Sequence, residues 1–147
     1  MIKTLIILTT IFTLIACASK PEKIKKTEDV NLAASLSSLI GEPKKVDPKI
    51  LDKFSLGSKE NPIRVNGPKG QRNYLSRLVC ENNETVSAFN RKGSVGRGPF
   101  GTTMDVYEVI CDTNKGVVKH DVFLDMYHAN YIETRPAAGF IELKPAK

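Results

Sequence analysis

The segment from His120 to His128 carries two histidines and two aspartates, side chains that can bind metal ions or transfer protons. A strand rises about 3.3 Å per residue, so an extended segment would separate His120 from His128 by about 26 Å, and Asp121 from Asp125 by about 13 Å. Side chains that far apart share one ion only if the strand is broken or other ligands join them. We therefore predict no metal site and no other cofactor.

Alternation along the same segment predicts two faces of one strand. The face turned to the core carries the apolar residues Val122, Leu124 and Met126. The open face carries Asp121, Asp125 and Tyr127. With nearby arginines, Asp125 and Tyr127 are candidate contacts for a ligand.

The residue types of a catalytic triad occur in Ser94, His128 and Asp125, but no nucleophile-elbow motif flanks Ser94. We therefore predict no catalytic residue. The alternative is a hydrolase or accessory enzyme that uses Asp125, Tyr127 and His128 at the edge of a sheet.

A glycine-rich segment runs from Gly93 to Gly101. Backbone amides in such segments can bind phosphate, but this spacing matches neither a Walker loop nor a dinucleotide fingerprint. The pattern favours a plain connection between two strands over a phosphate site. Arg91, Lys92 and Arg97 on this loop are candidate contacts for an anionic ligand, because loops on a rigid sheet commonly carry recognition.

Two helices are predicted in the first half of the chain. Asp29 is a cap for a helix over 29–40, whose apolar stripe ends before Gly41 and Pro43. Asp47 and Pro48 begin a second helix over 48–56. Turn residues then fill 57–70 around one short β-like stretch, Ile63-Arg64-Val65.

The second half of the chain is typical of strands. Residues 74–80 fit helical and strand spacing alike, and the turn that follows favours a strand. Clearer strands are predicted over 85–89, 104–111 and 117–127, with a hairpin turn at 112–116 and short edge pieces at 131–134 and 140–143. The predicted fold class is α+β, a small antiparallel sheet with one or two N-terminal helices packed on it.

The first seventeen residues predict export and anchoring. One lysine, Lys3, precedes an apolar run over 5–15, which as a helix is about 16 Å long and too short to span a bilayer. The run ends in Leu14-Ile15-Ala16-Cys17, which resembles the lipobox of bacterial lipoproteins at all four positions. The resemblance implies that a diacylglycerol is attached to the Cys17 thiol and that the leader is removed before it. In Gram-negative members of that family an aspartate after the cysteine favours the inner membrane, so the resemblance, with Ala18 at this position, implies the outer membrane.

Three regions follow from this reading. Residues 1–16 are the removed signal peptide, 17–28 the lipidated cysteine with a flexible tether, and 29–147 a single small domain. The second half of the chain, with Gly96-Arg97-Gly98-Pro99-Phe100-Gly101 and Asp125-Met126-Tyr127-His128, resembles small bacterial lipoproteins to which no role is assigned.

With Cys17 assigned to lipid, Cys80 and Cys111 remain. Two thiols in an exported chain most often form a disulfide, and the absence of a CxxC pair or a close histidine disfavours the rival metal site. We therefore expect one disulfide between them.

The formal net charge of +6 suggests anionic neighbours at a bacterial surface, and a merely solvated surface is the alternative. We expect no nucleic-acid partner. The expected function is a non-enzymatic module, anchored through lipid to the outer membrane and facing the periplasm. Its expected partner is an anionic envelope polymer, a lipid or an envelope protein.

Overall fold

The computed structural model describes residues 43–146. The predicted leader, the lipidation site at Cys17, the tether and the helix over 29–40 lie outside these residues. Within them the α+β class and the disulfide are confirmed. None of the helices in the described range is long and apolar enough to cross a membrane.

The first helix, α1, spans Pro48–Leu51 and is shorter than predicted. The Asp47 carboxylate caps it by accepting a hydrogen bond of 3.0 Å from the Lys49 amide, as the sequence indicated. Only Leu51 of this helix is buried, whereas Phe54 beyond it is 45% exposed. A longer helix would therefore bury no further apolar face, and the chain turns instead.

The second helix, α2, spans Gly67–Leu75 and corrects the sequence-based prediction. We expected turns up to residue 70 and a strand from Tyr74. Gln71, Tyr74 and Leu75 lie on one helical face and are buried, so packing on the sheet outweighs the turn-forming glycines. Of the strand predicted over 74–80, only β2, Leu78–Val79, is observed.

The main sheet has four strands in the order β1-β5-β4-β3. Their bounds are Ile63–Arg64 (β1), Ala88–Arg97 (β3), Thr103–Thr113 (β4) and Gly116–Asp125 (β5). The long strands pair antiparallel, as predicted, whereas β1 pairs parallel with β5, so the sheet is mixed. A smaller sheet pairs β2 with β6, Glu142–Leu143, inside the predicted edge piece over 140–143. The predicted piece over 131–134 is not a strand.

The glycine-rich segment is largely strand rather than loop, which is a second correction. Strand β3 continues to Arg97, and its pairing with β4 shifts register between Arg91 and Gly93 and again between Ser94 and Arg97. Gly96 in the second irregularity has φ +83°, a conformation that glycine adopts without strain. The connection to β4 is therefore reduced to residues 98–102.

The core lies between α2 and one face of the main sheet. On β4 that face carries Asp105, Tyr107, Val109 and Cys111. The Cys80–Cys111 disulfide belongs to this core: its two Cα atoms are 5.9 Å apart, and both residues are buried. It links the chain after β2 to the middle strand of the sheet.

Candidate functional site

Two of the three cations predicted to contact a ligand are already paired with carboxylates. The Arg91 Nη2 donates to Asp105 Oδ1 at 2.7 Å, and the Lys92 Nζ lies 2.8 Å from Asp121 Oδ2. The hydrogen bond to Asp105 and its charge raise the pKa of Arg91. Asp105 faces α2 and Asp121 lies on the opposite face, so Arg91 and Lys92 do not converge on one ligand.

Arg97, the third predicted contact, is exposed. Its Nη1 donates to the carbonyl oxygen of Gly101 at 3.2 Å. It has no ion-pair partner among residues 43–146, so its charge is directed into solvent. The structure thus leaves these three residues without a shared cavity.

The Asp105 carboxylate is the centre of a buried polar network. It accepts hydrogen bonds from Arg91, from the Ser94 hydroxyl at 2.8 Å and from the Gln71 amide at 3.0 Å, while the Tyr107 hydroxyl donates to Gln71. Burial alone would raise the pKa of Asp105, but these hydrogen bonds outweigh it and hold that pKa below its usual value. The network joins β3, β4 and α2, which is a structural role.

Asp125 is not on an open face, which corrects the prediction from alternation. It is fully buried and lies at the last position of β5. Its carboxylate accepts hydrogen bonds from the Thr102 hydroxyl and from the Tyr127 amide. The alternation of buried and exposed residues along β5 ends at Asp125, because the loop over 98–102 covers the face that was predicted to be open. Tyr127 is half-buried, and its backbone forms one bridge with Asn66.

The Ser-His-Asp set does not assemble. The Ser94 hydroxyl donates to Asp105 and not to His128 or Asp125. His120 packs its ring 4.8 Å from that of Phe140, away from the second histidine of the segment. In the described part of the chain no three His, Cys, Asp or Glu side chains are close enough to hold a metal.

A different group of cations does share a cavity, of about 350 Å³. We call it the basic pocket; its lining residues are Pro43, Lys44, Lys45, Val46, Arg64, Phe100 and His128. Among residues 43–146, the lining of this pocket includes no carboxylate. The ion pairs formed within residues 43–146 include neither the two lysines nor Arg64. This pocket therefore gathers in one concave surface three cations that have no ion-pair partner among residues 43–146.

Arg64 is the best positioned of these cations. It belongs to β1, whose neighbour Ile63 is completely buried and fixes the strand against β5. The guanidinium carbon lies 4.0 Å from the centroid of the Tyr131 ring and 5.6 Å from that of Phe100. Nη2 donates to the Tyr131 hydroxyl, which in turn donates to the buried Glu133. Aromatic contacts on its plane leave the remaining N–H groups of Arg64 for a ligand.

Tyr131 is held in its neutral form. Burial first, and then the charge of Glu133, raises the pKa of Tyr131. The phenol can therefore accept a hydrogen bond from Arg64 while donating its own proton to Glu133. Glu133 is fixed in turn by Arg135, whose Nε lies 3.1 Å from Oε1.

The backbone amide of Lys44 donates to the Phe100 carbonyl oxygen at 2.8 Å, which fixes the start of the described chain beside the loop. The Lys44 side chain lies over Gly101, where an added Cβ would approach Lys44 Cε to 3.3 Å. Gly101 also has φ +78°, a conformation that glycine adopts without strain. A glycine at this position therefore allows the turn and leaves room for the Lys44 side chain.

His128 forms one wall of the basic pocket. Its ring packs edge-on against Phe100, with the ring centroids 4.6 Å apart. Its Nε2 is buried, 3.4 Å from Asp125 Oδ2, and forms no hydrogen bond with the described residues. Asp125 and Phe100 therefore hold the histidine in place, although the sequence predicted a ligand contact for Asp125 itself.

Sequence reasoning did not identify Lys44, Lys45 or Arg64 as site residues. They lie in segments that were interpreted as a helix stop and a turn region, with no motif around them. The nearest signal was the β-like Ile63-Arg64-Val65, where a cation interrupts two buried apolar residues. A charged side chain in so short a strand indicates a half-buried position but not its neighbours.

The arrangement is suited to binding an anion, because the planar guanidinium of Arg64 and two lysines surround a cavity whose described lining is free of acidic residues. Comparison with protein-family models, with curated proteins and with solved structures finds no match to this chain.

Proposed function

We propose that this protein is a lipid-anchored module of the bacterial cell envelope that binds an anionic group in the basic pocket. The anchor is Cys17 of the lipobox-like Leu14-Ile15-Ala16-Cys17, and the folded domain faces the periplasm from the outer membrane. The partner is an anionic envelope component or an envelope protein that presents such a group. The module acts by binding rather than by catalysis.

The observation that carries the proposal is the setting of Arg64. Its guanidinium lies against the Tyr131 ring, half-buried, and forms no ion pair with the residues that the structure describes. A cation removed from water is costly unless a partner compensates it. Here the aromatic rings and the Tyr131 hydroxyl compensate part of this cost, and a bound anion would supply the rest.

The competing sites are weaker on the same physical grounds. An anion at Arg91 or Lys92 would have to displace the carboxylate of Asp105 or Asp121. Asp125, on which the hydrolase alternative depends, is buried and accepts hydrogen bonds from Thr102 and Tyr127. Its contacts hold a loop in place, which supports a binding module over a hydrolase.

The test is sedimentation of the purified, detergent-solubilised protein with isolated cell wall and outer membrane over a salt series. We expect binding that weakens as salt rises, because exposed charges are screened over about 8–10 Å at physiological ionic strength. Arg64→Gln should remove most of the binding. Arg97→Gln is the matched control, since it removes the same charge from an exposed arginine outside the basic pocket.

The outcomes separate the candidate sites. Loss with Arg64→Gln and retention with Arg97→Gln supports the proposal. Loss of binding with Arg97→Gln alone would place the binding site at β3 instead of the basic pocket. Unchanged binding by both variants would refute a site that depends on either arginine.

A further inference from the structure

We infer that the group bound in the basic pocket is a phosphate, carried as a monoester or a diester. This deepens the proposed function and rests on it, because it names the chemistry of the anion for that same pocket. A carboxylate group is the alternative that the experiment must exclude.

Charge is the first argument. Lys44, Lys45 and Arg64 supply three positive charges, and none of the described residues that line the cavity carries a carboxylate. A carboxylate group carries one negative charge, which would leave most of the positive charge of these three side chains uncompensated. A phosphate monoester carries about −1.5 to −2 at neutral pH, and even a diester adds oxygen acceptors to its single charge. Charge alone therefore favours a phosphate monoester over a carboxylate, whereas a diester, which carries one charge as a carboxylate does, differs only in its additional ester oxygens.

Hydrogen-bond geometry is the second argument. The Arg64 guanidinium is fixed by Tyr131 and Phe100, so its free N–H groups point in set directions, and such a fork fits two oxygens of a phosphate. That contact alone would also suit a carboxylate. The lysines differ, because each carries a point charge on a long side chain that can contact a third oxygen, which a phosphate monoester has and a carboxylate lacks.

The place of the pocket is the third argument. Pro43, the first described residue, lines the pocket, so the covalent connection back to Cys17 starts at the pocket. The residues from 17 to 43 can extend at most about 90 Å. An anchored domain thus remains within reach of its own membrane, whose phospholipid headgroups are phosphate diesters. A free phosphate ester presents the same chemistry without the membrane.

Isothermal titration calorimetry tests the inference, with inorganic phosphate and acetate at equal ionic strength as the probes. The protein is the mature chain carrying Cys17→Ser, which stays in solution without detergent. We expect phosphate to bind at least about tenfold more tightly than acetate, since one further charge-assisted hydrogen bond is worth about this factor. Arg64→Gln and Lys45→Gln should each weaken phosphate binding several-fold, and Arg97→Gln should leave it within about twofold.

A second arm distinguishes the source of the phosphate. The same chain is sedimented with vesicles of phosphatidylcholine, with and without phosphatidylglycerol. Arg64-dependent binding only to the phosphatidylglycerol vesicles, reversed by inorganic phosphate, supports a lipid headgroup. Binding of inorganic phosphate without vesicle binding supports a free phosphate ester.

Failure of the inference is distinct from failure of the proposed function. If acetate binds as tightly as phosphate and both require Arg64, the pocket is a general anion site and the phosphate inference is wrong. If neither probe binds and envelope fractions bind independently of Arg64, the proposed function is wrong as well. Lys45 is exposed, so Lys45→Gln reports on binding even if Arg64→Gln unfolds the domain.

Discussion

The guanidinium carbon of Arg64 lies 4.0 Å from the centroid of the Tyr131 ring, although 67 residues separate them in sequence. This contact turns a cation of β1 into a rigid part of the basic pocket. A cation over an aromatic face is worth about 0.5–2 kcal/mol, depending on how far both groups are removed from water. Positioning by Tyr131 is therefore open to direct measurement.

Replacing the Tyr131 ring should weaken anion binding. We expect Tyr131→Leu to reduce phosphate affinity by about three- to tenfold, because the loss of stacking frees the Arg64 side chain. Tyr131→Phe keeps the ring face and loses only the hydroxyl, so its effect should be smaller. Calorimetric titration of both variants measures the difference. Equal affinities for Tyr131→Leu and the unmodified protein would show that the stacking does not position Arg64.

The disulfide should contribute much of the domain's stability. In the chain-entropy model a loop closed over a separation of 31 residues stabilises the fold by about 3–4 kcal/mol. Replacing both Cys80 and Cys111 by alanine should therefore lower the melting temperature by roughly 10 °C or more. Both cysteines are buried, so reduction of the folded protein should be slow until it unfolds. Rapid alkylation of both thiols in protein taken from cells without reductant would contradict the bridge.

Stability should fall at acid pH because of Asp105 and Glu133. Both folded-state pKa values are below those of the unfolded chain, held there against burial by hydrogen bonds from Arg91 and Arg135 respectively. A lowered carboxyl pKa contributes stability above the unfolded value, near pH 4, and that contribution is lost as pH falls through the folded value. Urea unfolding at several pH values should show this loss.

A substitution separates the contribution of Asp105 from the general effect of acid. Asp105→Asn should lower stability at neutral pH by about 1–2 kcal/mol through the weakened hydrogen bonds, and should flatten the acid dependence. Asp121→Asn is the control, because it removes the same charge from an exposed ion pair. An acid profile of Asp105→Asn that parallels the unmodified protein would contradict the role of this carboxyl.

Anchoring depends on a residue outside the described structure. We expect Cys17→Ser to shift the protein from the membrane fraction to the soluble fraction, or to stop removal of the leader. Cell fractionation measures the first effect and mass spectrometry the second. An intact mass showing cleavage elsewhere and an unmodified Cys17 thiol would refute the lipobox reading.

The fold was predictable where local pattern and burial agree. Strands β4 and β5 were predicted because they are rich in β-branched and aromatic residues, and the turn between them, Asn114-Lys115, is followed by Gly116. Helix α2 was missed because Gly67, Pro68 and Gly70 are turn residues, and only the sheet beneath them supplies the surface on which a helix can pack.

The basic pocket was not predictable, because its parts meet only in the folded chain. Lys44, Arg64 and His128 come from three separate segments, and no sequence pattern connects the two cations with the histidine. The predicted cluster of Arg91 and Lys92 was compact in sequence, but neighbouring strand residues point to opposite faces. Each of these two residues therefore meets a different carboxylate.

The most direct test of the anion site is the side-chain Nε–H signal of Arg64 in a ¹H–¹⁵N spectrum during titration with inorganic phosphate. We expect a saturable shift of the Arg64 signal and a parallel shift of the ring signals of His128. The Arg97 signal should stay unchanged at the same ionic strength. Shifts of equal size in all exposed arginines, rising without saturation, would contradict a phosphate site in the basic pocket.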